Sequence, residues 1–297
     1  MMSRTQTAND QTANVCSTNE DTENGLPSVT IVTVVYNDAE NIEKTLLSVI
    51  SQNYPNLEYI VIDGGSTDGT VDIIKKYESR IHRWISEKDA GIYDAMNKGI
   101  DLASGQWINF MNANDQFYNS TTIDEVFKDF PEDADFIYGY FIRRKEEGDE
   151  YVGLRLPFHE IWKDMPFSHQ ALFSKTALLK QNKFCLHNKI ISDYKSVFLH
   201  YVDGRKFFNC HKTIAITASA GYSDKTFRRT FERWKLVRKH LNYKIDIYFI
   251  FLLGSYILET LFPPQAHRFL IQKISALKPA KNALSATTES LFKKKSP

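Results

Sequence analysis

Glu87-Lys88-Asp89-Ala90-Gly91-Ile92-Tyr93-Asp94-Ala95-Met96-Asn97-Lys98-Gly99, followed by Gln106-Trp107-Ile108-Asn109-Phe110-Met111 and then Asn112-Ala113-Asn114-Asp115, is the stretch that decides the fold. It reads as a polar loop, a short helix, an apolar-rich run of strand length and a second polar loop ending in a carboxylate. Polar side chains delivered at the carboxyl end of a buried strand stand beside a crevice, and in open α/β sheets that crevice is where ligands bind. Aspartate and asparagine are hard oxygen donors, suited to a divalent cation and to a ligand that carries phosphate.

Towards the amino terminus, Val29 to Val35 is β-branched at every position, as expected of a strand covered on both faces. Asn37 or Asp38 can cap the next helix, in which Ile42, Leu46, Val49 and Ile50 recur on one face. Leu57 to Ile62 predicts a second strand, ending at Asp63-Gly64-Gly65-Ser66-Thr67-Asp68-Gly69-Thr70, and Arg83 to Ser86 predicts a third. Strands alternating with helices at this spacing predict a parallel sheet with right-handed crossovers. The turn after the first strand, Tyr36 to Asn41, holds no glycine, and no G-x-x-x-x-G-K-[ST] loop occurs anywhere. Both a dinucleotide fingerprint and a P-loop are thereby excluded, and any phosphate must be met by a metal instead. Asp63, at a strand end, can accept hydrogen bonds from a base or ribose, or can simply make its turn; Asp68 reads as a turn and cap residue.

The bulk composition narrows the class further. A net charge of +1 gives no reason to invoke nucleic acid. Cys16, Cys185 and Cys210 are odd in number and scattered, which fits a reducing compartment and argues against a disulfide framework or a zinc site. Residues 1–26 lack an apolar core and read as a disordered leader, not a signal peptide.

Four segments in order, Val32-Thr33-Val34-Val35-Tyr36-Asn37, Ile62 to Thr70, Asp89 to Gly99 and Asn112 to Asp115, resemble the successive motifs of family 2 glycosyltransferases. The resemblance runs from about Pro27 to the Tyr222 region. It implies a GT-A fold: α/β, a Rossmann-like, mostly parallel sheet flanked by helices, over residues 27–221, with a helical C-terminal extension over 222–297. It implies an inverting transfer from a nucleotide-sugar donor, a UDP-sugar favoured, to a glycan or lipid-linked acceptor. By the same resemblance Tyr36, Asn37 and Asp63 line the nucleotide pocket, while Asp89 and Asp94 meet the ribose and donor sugar. Asp115 takes the place of the last carboxylate of the D-x-D-type motif, which binds Mg²⁺ or Mn²⁺ on the donor diphosphate. Asn112 and Asn114, the latter counted with the donor-binding residues, stand where many members carry aspartate, so less negative charge faces the cation.

In the second half, Asp135 to Ile142 predicts a strand that enters a charged hairpin, and Phe167 to Phe173 predicts another with His169 and Gln170 in it. The resemblance puts that His-Gln pair on the acceptor side; without it, His169 reads as a hydrogen-bonded core histidine. Ser192 or Asp193 opens a helix and reads locally as an N-cap. The resemblance instead makes Asp193 the catalytic base, which takes the proton of the attacking hydroxyl. Phe207 to Cys210 and Thr213 to Ile216 suggest two strands, and Gly221-Tyr222-Ser223 reads either as a donor loop or as a helix start. The basic helix from Phe227 reads as a solvated face or as a contact for anionic lipid. Ile245 to Phe262 is the most apolar stretch; packing on the domain, interfacial contact at the inner membrane and a short span all remain open, with a cytoplasmic enzyme expected. Two other classes stay in view: a nucleotide-sugar-binding protein that has lost catalysis, and a nucleotidyltransferase.

Overall fold

The computed structural model describes residues 25–145, 148–187, 190–218, 227–241 and 245–261. Strand β1 (Val29–Val35) is buried at all seven positions, as its β-branched run requires. It lies between β2 (Leu57–Asp63) and β4 (Trp107–Phe110), and β3 (Arg83–Ser86) is outside β2. All four run parallel, joined through helices α1 (Ile42–Ile50), α2 (Thr70–Lys76) and α3 (Ile92–Leu102). α1 buries Ile42, Leu46 and Val49 in the core on one side of β1, and α3 buries Met96 and Ile100 on the other. The expected cap from Asn37 or Asp38 does not form. The Asp38 carbonyl accepts the Ile42 N–H at 3.0 Å, and Asn37, at φ 48°, reaches sideways to the loop after β2.

The chain then makes β5 (Gln116–Phe117), α4 (Thr122–Phe127), β6 (Phe136–Arg143), β7 (Glu150–Val152), β8 (Leu172–Lys175), α5 (Thr176–Gln181), α6 (Ser192–Val202) and β9 (Phe207–Thr217). The sheet order is β3-β2-β1-β4-β8-β6-β9-β5, with β7 hydrogen-bonded to β6. β8 is antiparallel to both β4 and β6, and β5 is antiparallel to β9. β5 follows β4 by one short loop yet lies four places away from it in the sheet. On a flat sheet that gap is roughly 19 Å at a spacing of about 4.8 Å per strand, too far for a loop closed by an Asp115 N–H to Asn112 C=O bond of 3.0 Å. The sheet therefore curls, and the curl carries the end of β9 round to the end of β4.

Two expectations for the second half are corrected. The strand foreseen over Phe167–Phe173 begins only at Leu172. His169–Ala171 is a 3-10 turn closed by the Ala171 N–H on Ser168 C=O at 2.9 Å, because the Ser168 and Gln170 side chains are engaged with each other and with Asp115. The two strands foreseen over Phe207–Ile216 are one strand with a bulge, where His211 adopts φ 55° and the register against β6 shifts. Gly139 faces this bulge: a Cβ there would sit 2.4 Å from the Lys212 carbonyl.

Helix α3 is also fastened to the second half. The Asn97 side-chain amide donates to the Phe184 carbonyl at 2.9 Å and accepts the Phe184 N–H at 2.9 Å. Beyond the sheet, α7 (Phe227–His240) and α8 (Asp246–Leu261) pack over a second core with α6. The basic face of α7 is not purely solvated: Arg233 is buried and shares Asp164 with Arg229. Phe249 of α8 is buried near Trp162, whereas Ile250 and Ile257 are exposed. Among the described residues no helix is long and apolar enough to cross a membrane. The expectations for residues 1–24, for Gly221-Tyr222-Ser223 and for residues 262–297 of the helical extension lie outside the described residues.

Candidate active site

The carboxyl ends of β1, β2 and β4 open on one crevice. Asp63, the last residue of β2, is fully buried. Its Oδ2 accepts the N–H groups of Gly65 (3.1 Å) and Ser66 (3.0 Å) and the Ser86 hydroxyl (2.6 Å). Its Oδ1 is buried with no partner among the described residues. Asp63 thus makes its turn with one oxygen and keeps the other for a donor the protein does not supply. An acceptor left in that state costs about 1–3 kcal/mol. Asn37 binds the same loop, donating its N–H to Ser66 Oγ at 2.7 Å and accepting the Thr67 N–H at 2.9 Å. Asp68 accepts the Thr70 and Ala39 N–H groups, the turn role foreseen for it.

Tyr36 projects its ring into solvent, 64% exposed. Gly64 lies between Tyr36 and Asp89: a Cβ there would be 2.6 Å from Asp89 Oδ2 and 3.3 Å from Tyr36 Cδ2. Asp89 Oδ1 accepts the Gly91 N–H and Asp94 Oδ2 accepts the Ala90 N–H, both at 2.9 Å. These two carboxylates shape the loop that opens α3, and Asp89 keeps Oδ2 towards Gly64.

Asp115 is 7% exposed. Its Oδ1 accepts the Ala218 N–H at 3.1 Å and its Oδ2 accepts Gln170 Nε2. Thr45 Oγ1 holds its carbonyl at 2.8 Å. Burial pushes the carboxyl pKa up to about 7, against the lowering effect of the Ala218 and Gln170 hydrogen bonds. Gln170, foreseen on the acceptor side, is thus turned inward onto this carboxylate. Asn114 occupies the left-handed region at φ 72°, which asparagine tolerates well.

Asn112 Nδ2 lies 2.9 Å from His169 Nε2, and Asn112 Oδ1 is buried with no partner among the described residues. With the amide donating, Nε2 accepts and the ring proton sits on Nδ1, 3.6 Å from Asp193 Oδ2. Burial pushes the His169 pKa down, opposed by Asp193 and assisted by Arg155. Asp193 does not cap its helix. Its Oδ1 accepts the Tyr93 hydroxyl at 2.8 Å, while Ser192 Oγ turns back to the Cys185 N–H at 2.6 Å. A cavity of about 20 Å³, lined in part by Met96, Phe110, His169, Phe184 and Asp193, lies at this junction. Asn112, His169, Asp193 and Tyr93 therefore form one polar chain from the loop after β4, across α6, to α3.

The family model described as Glycosyl transferase family 2 matches residues 30–192, more than half of the sequence. The chain belongs to this family. This glycosyltransferase is 32% identical over 180 residues to a PGL/p-HBAD biosynthesis glycosyltransferase of Mycobacterium bovis (strain BCG / Pasteur 1173P2), an alignment covering 57% of this chain and 67% of that one. Among solved structures, S. aureus TarS 1–349 in complex with UDP matches with a TM-score of 0.57 at 19% identity. That match covers 72% of this chain and only 65% of the staphylococcal one. The mannosyltransferase PcManGT from Pyrobaculum calidifontis, in complex with GDP-Man and Mn²⁺, matches with a TM-score of 0.57 at 15% identity and covers 90% of this chain and 85% of that one. The curled sheet with its flanking helices is the GT-A fold.

Among the described residues no three His, Cys, Asp or Glu side chains converge to hold a metal ion. The loop after β4 nevertheless fits a cation of the Mg²⁺ type. Such ions keep several waters and bind through one or two carboxylates plus substrate phosphates, not through an all-protein cage. Asp115, whose two oxygens are taken up by Ala218 and Gln170, would supply the carboxylate by releasing one of them, and the unpartnered Oδ1 of Asn112 would supply a second hard oxygen in the same loop.

Sequence reasoning had passed over Ser86, Gly64 and Tyr93. Tyr93 carried a usable signal: it falls between Asp89 and Asp94 yet points, with Met96 and Ile100, to the buried side of α3. Ser86, at the end of a strand, and Gly64 carry none that separates them from ordinary turn residues.

Proposed function

We propose that this glycosyltransferase moves a sugar from a nucleoside-diphosphate sugar, a UDP-sugar in the first instance, to a hydroxyl of a lipid-linked glycan in surface-polysaccharide synthesis, with inversion at the anomeric carbon. The observation that carries the reading is the position of Asp193: a carboxylate opening α6, oriented by the Tyr93 hydroxyl at 2.8 Å and joined through His169 to the loop of Asp115. In this reading the nucleotide lies across Tyr36, with a base N–H brought to the buried, unpartnered Oδ1 of Asp63 and with Asn37 holding the loop beneath. Asp89 and Asp94 keep the ribose and sugar side of the loop in shape. Asp115, with Asn112 and Asn114 beside it, holds a Mg²⁺ or Mn²⁺ ion, which when bound offsets charge developing on the departing diphosphate. Asp193 takes the proton from the acceptor hydroxyl as its oxygen attacks, and a single displacement by one base gives inversion. His169, neutral, keeps its Nδ1–H towards Asp193 and does not compete for that proton.

Two solved proteins of the same fold, TarS in complex with UDP and PcManGT in complex with GDP-Man, support the donor class. We further assign the α7–α8 face to peripheral contact with the membrane. Ile250 and Ile257, seven residues apart on α8, are both exposed, as is Phe227 at the start of α7. Arg228, Lys235 and Lys239 of α7 are exposed as well.

A thermal-shift series with UDP, GDP and their sugars, with and without Mn²⁺, tests the donor assignment, because a ligand bound only by the folded state raises apparent stability by mass action. No shift with any nucleotide would remove it. A binding protein without turnover is the competing reading, motivated by Asn112 and Asn114. Mn²⁺-dependent hydrolysis of the bound nucleotide-sugar, absent in Asp115→Ala, separates the two.

A further inference from the structure

The wall of the cleft beside Asp193 carries one cation more than its own carboxylates use. Asp164 is shared by Arg229 Nη2 at 3.0 Å and Arg233 Nη1 at 2.7 Å. Arg155 brings a third guanidinium to the same wall, and its charge is felt by Asp164, Asp193 and His169. Among the described residues Arg155 makes no ion pair and no side-chain hydrogen bond. Its one recorded side-chain partner is the ring of Phe141, with Cζ 4.9 Å from the centroid. Its main chain is pinned by the N–H on Pro166 C=O at 2.7 Å. The nearby Arg143 is already turned to Glu150 at 3.5 Å. Three guanidiniums thus face two carboxylates, and one of those, Asp193, is committed to Tyr93.

A guanidinium resting on an aromatic face has its orientation set while its N–H edge stays open. That edge is a planar fork matched to two oxygens of a phosphate or carboxylate. Arg155 is exposed, so a ligand can reach it, and desolvation still works against its charge, which makes an anionic partner favourable there. Its place in the chain is set by geometry: the main-chain bond to Pro166 holds Arg155 beside the segment that leads, three residues on, into His169. The charge of Arg155 accordingly acts on His169. We therefore put the cation on the side of the proposed base.

We infer that Arg155 is an anion subsite of the acceptor, gripping a phosphate ester that the acceptor carries close to the hydroxyl to be glycosylated. The inference rests on the reading of Asp193 as the base, and it narrows the acceptor from any glycan to one with a phosphate next to its reacting end. The two halves of the recognition are separate: the fork of Arg155 holds the phosphate, and Asp193 receives the hydroxyl.

The test uses the whole chain and three probes in isothermal titration: octyl phosphate, the neutral octyl glucoside, and UDP with Mn²⁺. Wild type is expected to bind octyl phosphate at least about tenfold more tightly than octyl glucoside, the margin of one charge-assisted bidentate contact. Arg155→Gln is expected to abolish that margin while leaving UDP affinity within about twofold. Arg155→Lys, which keeps the charge but loses the fork, is expected to fall between them. Circular dichroism confirms that each variant is folded, and should Arg155→Gln not fold, Arg155→Lys decides alone. Equal loss of octyl phosphate and UDP in the variant would hand Arg155 to the donor and overturn the inference. So would wild type that does not prefer octyl phosphate, or a variant that binds it as wild type does. Absence of UDP binding to wild type would instead sink the donor reading, a result that the octyl phosphate arm does not share.

Discussion

Replacing Asp115 by asparagine should make this protein more stable above neutral pH, by an amount that follows from its burial. The carboxyl titrates at about 7 in the folded chain against 3.8 for an ordinary aspartate. Between those values the folded state holds the proton more tightly than the unfolded one, so stability declines as pH rises through the window and levels off beyond it. At about 1.4 kcal/mol per pKa unit, the whole decline amounts to roughly 4 kcal/mol, with about 3 kcal/mol of it falling between pH 5 and pH 8. Asparagine has no charge to bury, and the site can accommodate it. Its Oδ1 accepts the Ala218 N–H, and its Nδ2 meets Gln170 once that amide turns over to present Oε1, leaving Gln170 Nε2 to donate to Ser168 Oγ. Urea unfolding of both proteins at pH 5 and pH 8, in EDTA so that no cation offsets the charge, measures the difference. The stability of Asp115→Asn relative to wild type should rise by about 3 kcal/mol between the two pH values. Parallel curves would show that the carboxylate is not held in the desolvated state described above.

Asp193→Asn should fold and bind UDP as wild type does while losing about 10²–10⁴-fold in turnover, measured by release of UDP in the presence of acceptor. Tyr93→Phe removes a hydroxyl that donates to Asp193 at 2.8 Å. Turnover should fall by about tenfold, the worth of one hydrogen bond to a charged group that orients the carboxylate, with UDP affinity unchanged. Gly64→Ala places a methyl 2.6 Å from Asp89 Oδ2, the free end of a side chain. It should therefore weaken nucleotide binding by about tenfold while changing stability by less than about 1 kcal/mol. Gly139→Ala instead drives a methyl to 2.4 Å from a backbone carbonyl of β9. It should destabilise by about 2 kcal/mol or more, read by urea unfolding.

The parallel half was legible because its signals are local. A β-branched run such as Val29–Val35 can only be a buried strand, and the residues at its carboxyl end fall at the crevice by topology alone. The second half was less legible because its elements are decided by distant partners. His169 and Gln170 lie in a strand-like run between Phe167 and Phe173, but their bonds to Asn112 and Asp115, more than fifty residues away, bend it into a turn. Asp193 has the local features of an N-cap, and only Tyr93, a hundred residues earlier, shows that its carboxylate looks elsewhere. Arg155 carries no local signal: its meaning lies in Asp164 being already shared by Arg229 and Arg233.

The two-point pairing of Asn97 with Phe184 has a consequence for how such an enzyme can diversify. Phe184 lies eight residues before α6, and Tyr93 reaches α6 directly, so helix α3 indexes the Asp193 carboxylate from one side, while the Tyr194 hydroxyl on the Ile161 and Trp162 carbonyls anchors α6 from the other. The short stretch ahead of that buried anchor, which carries the exposed Arg155 and Pro157, can be recharged while the carboxylate proposed as the base keeps its register. New acceptors are thus open to recruitment through a few surface positions, with the anchored helix handed down intact.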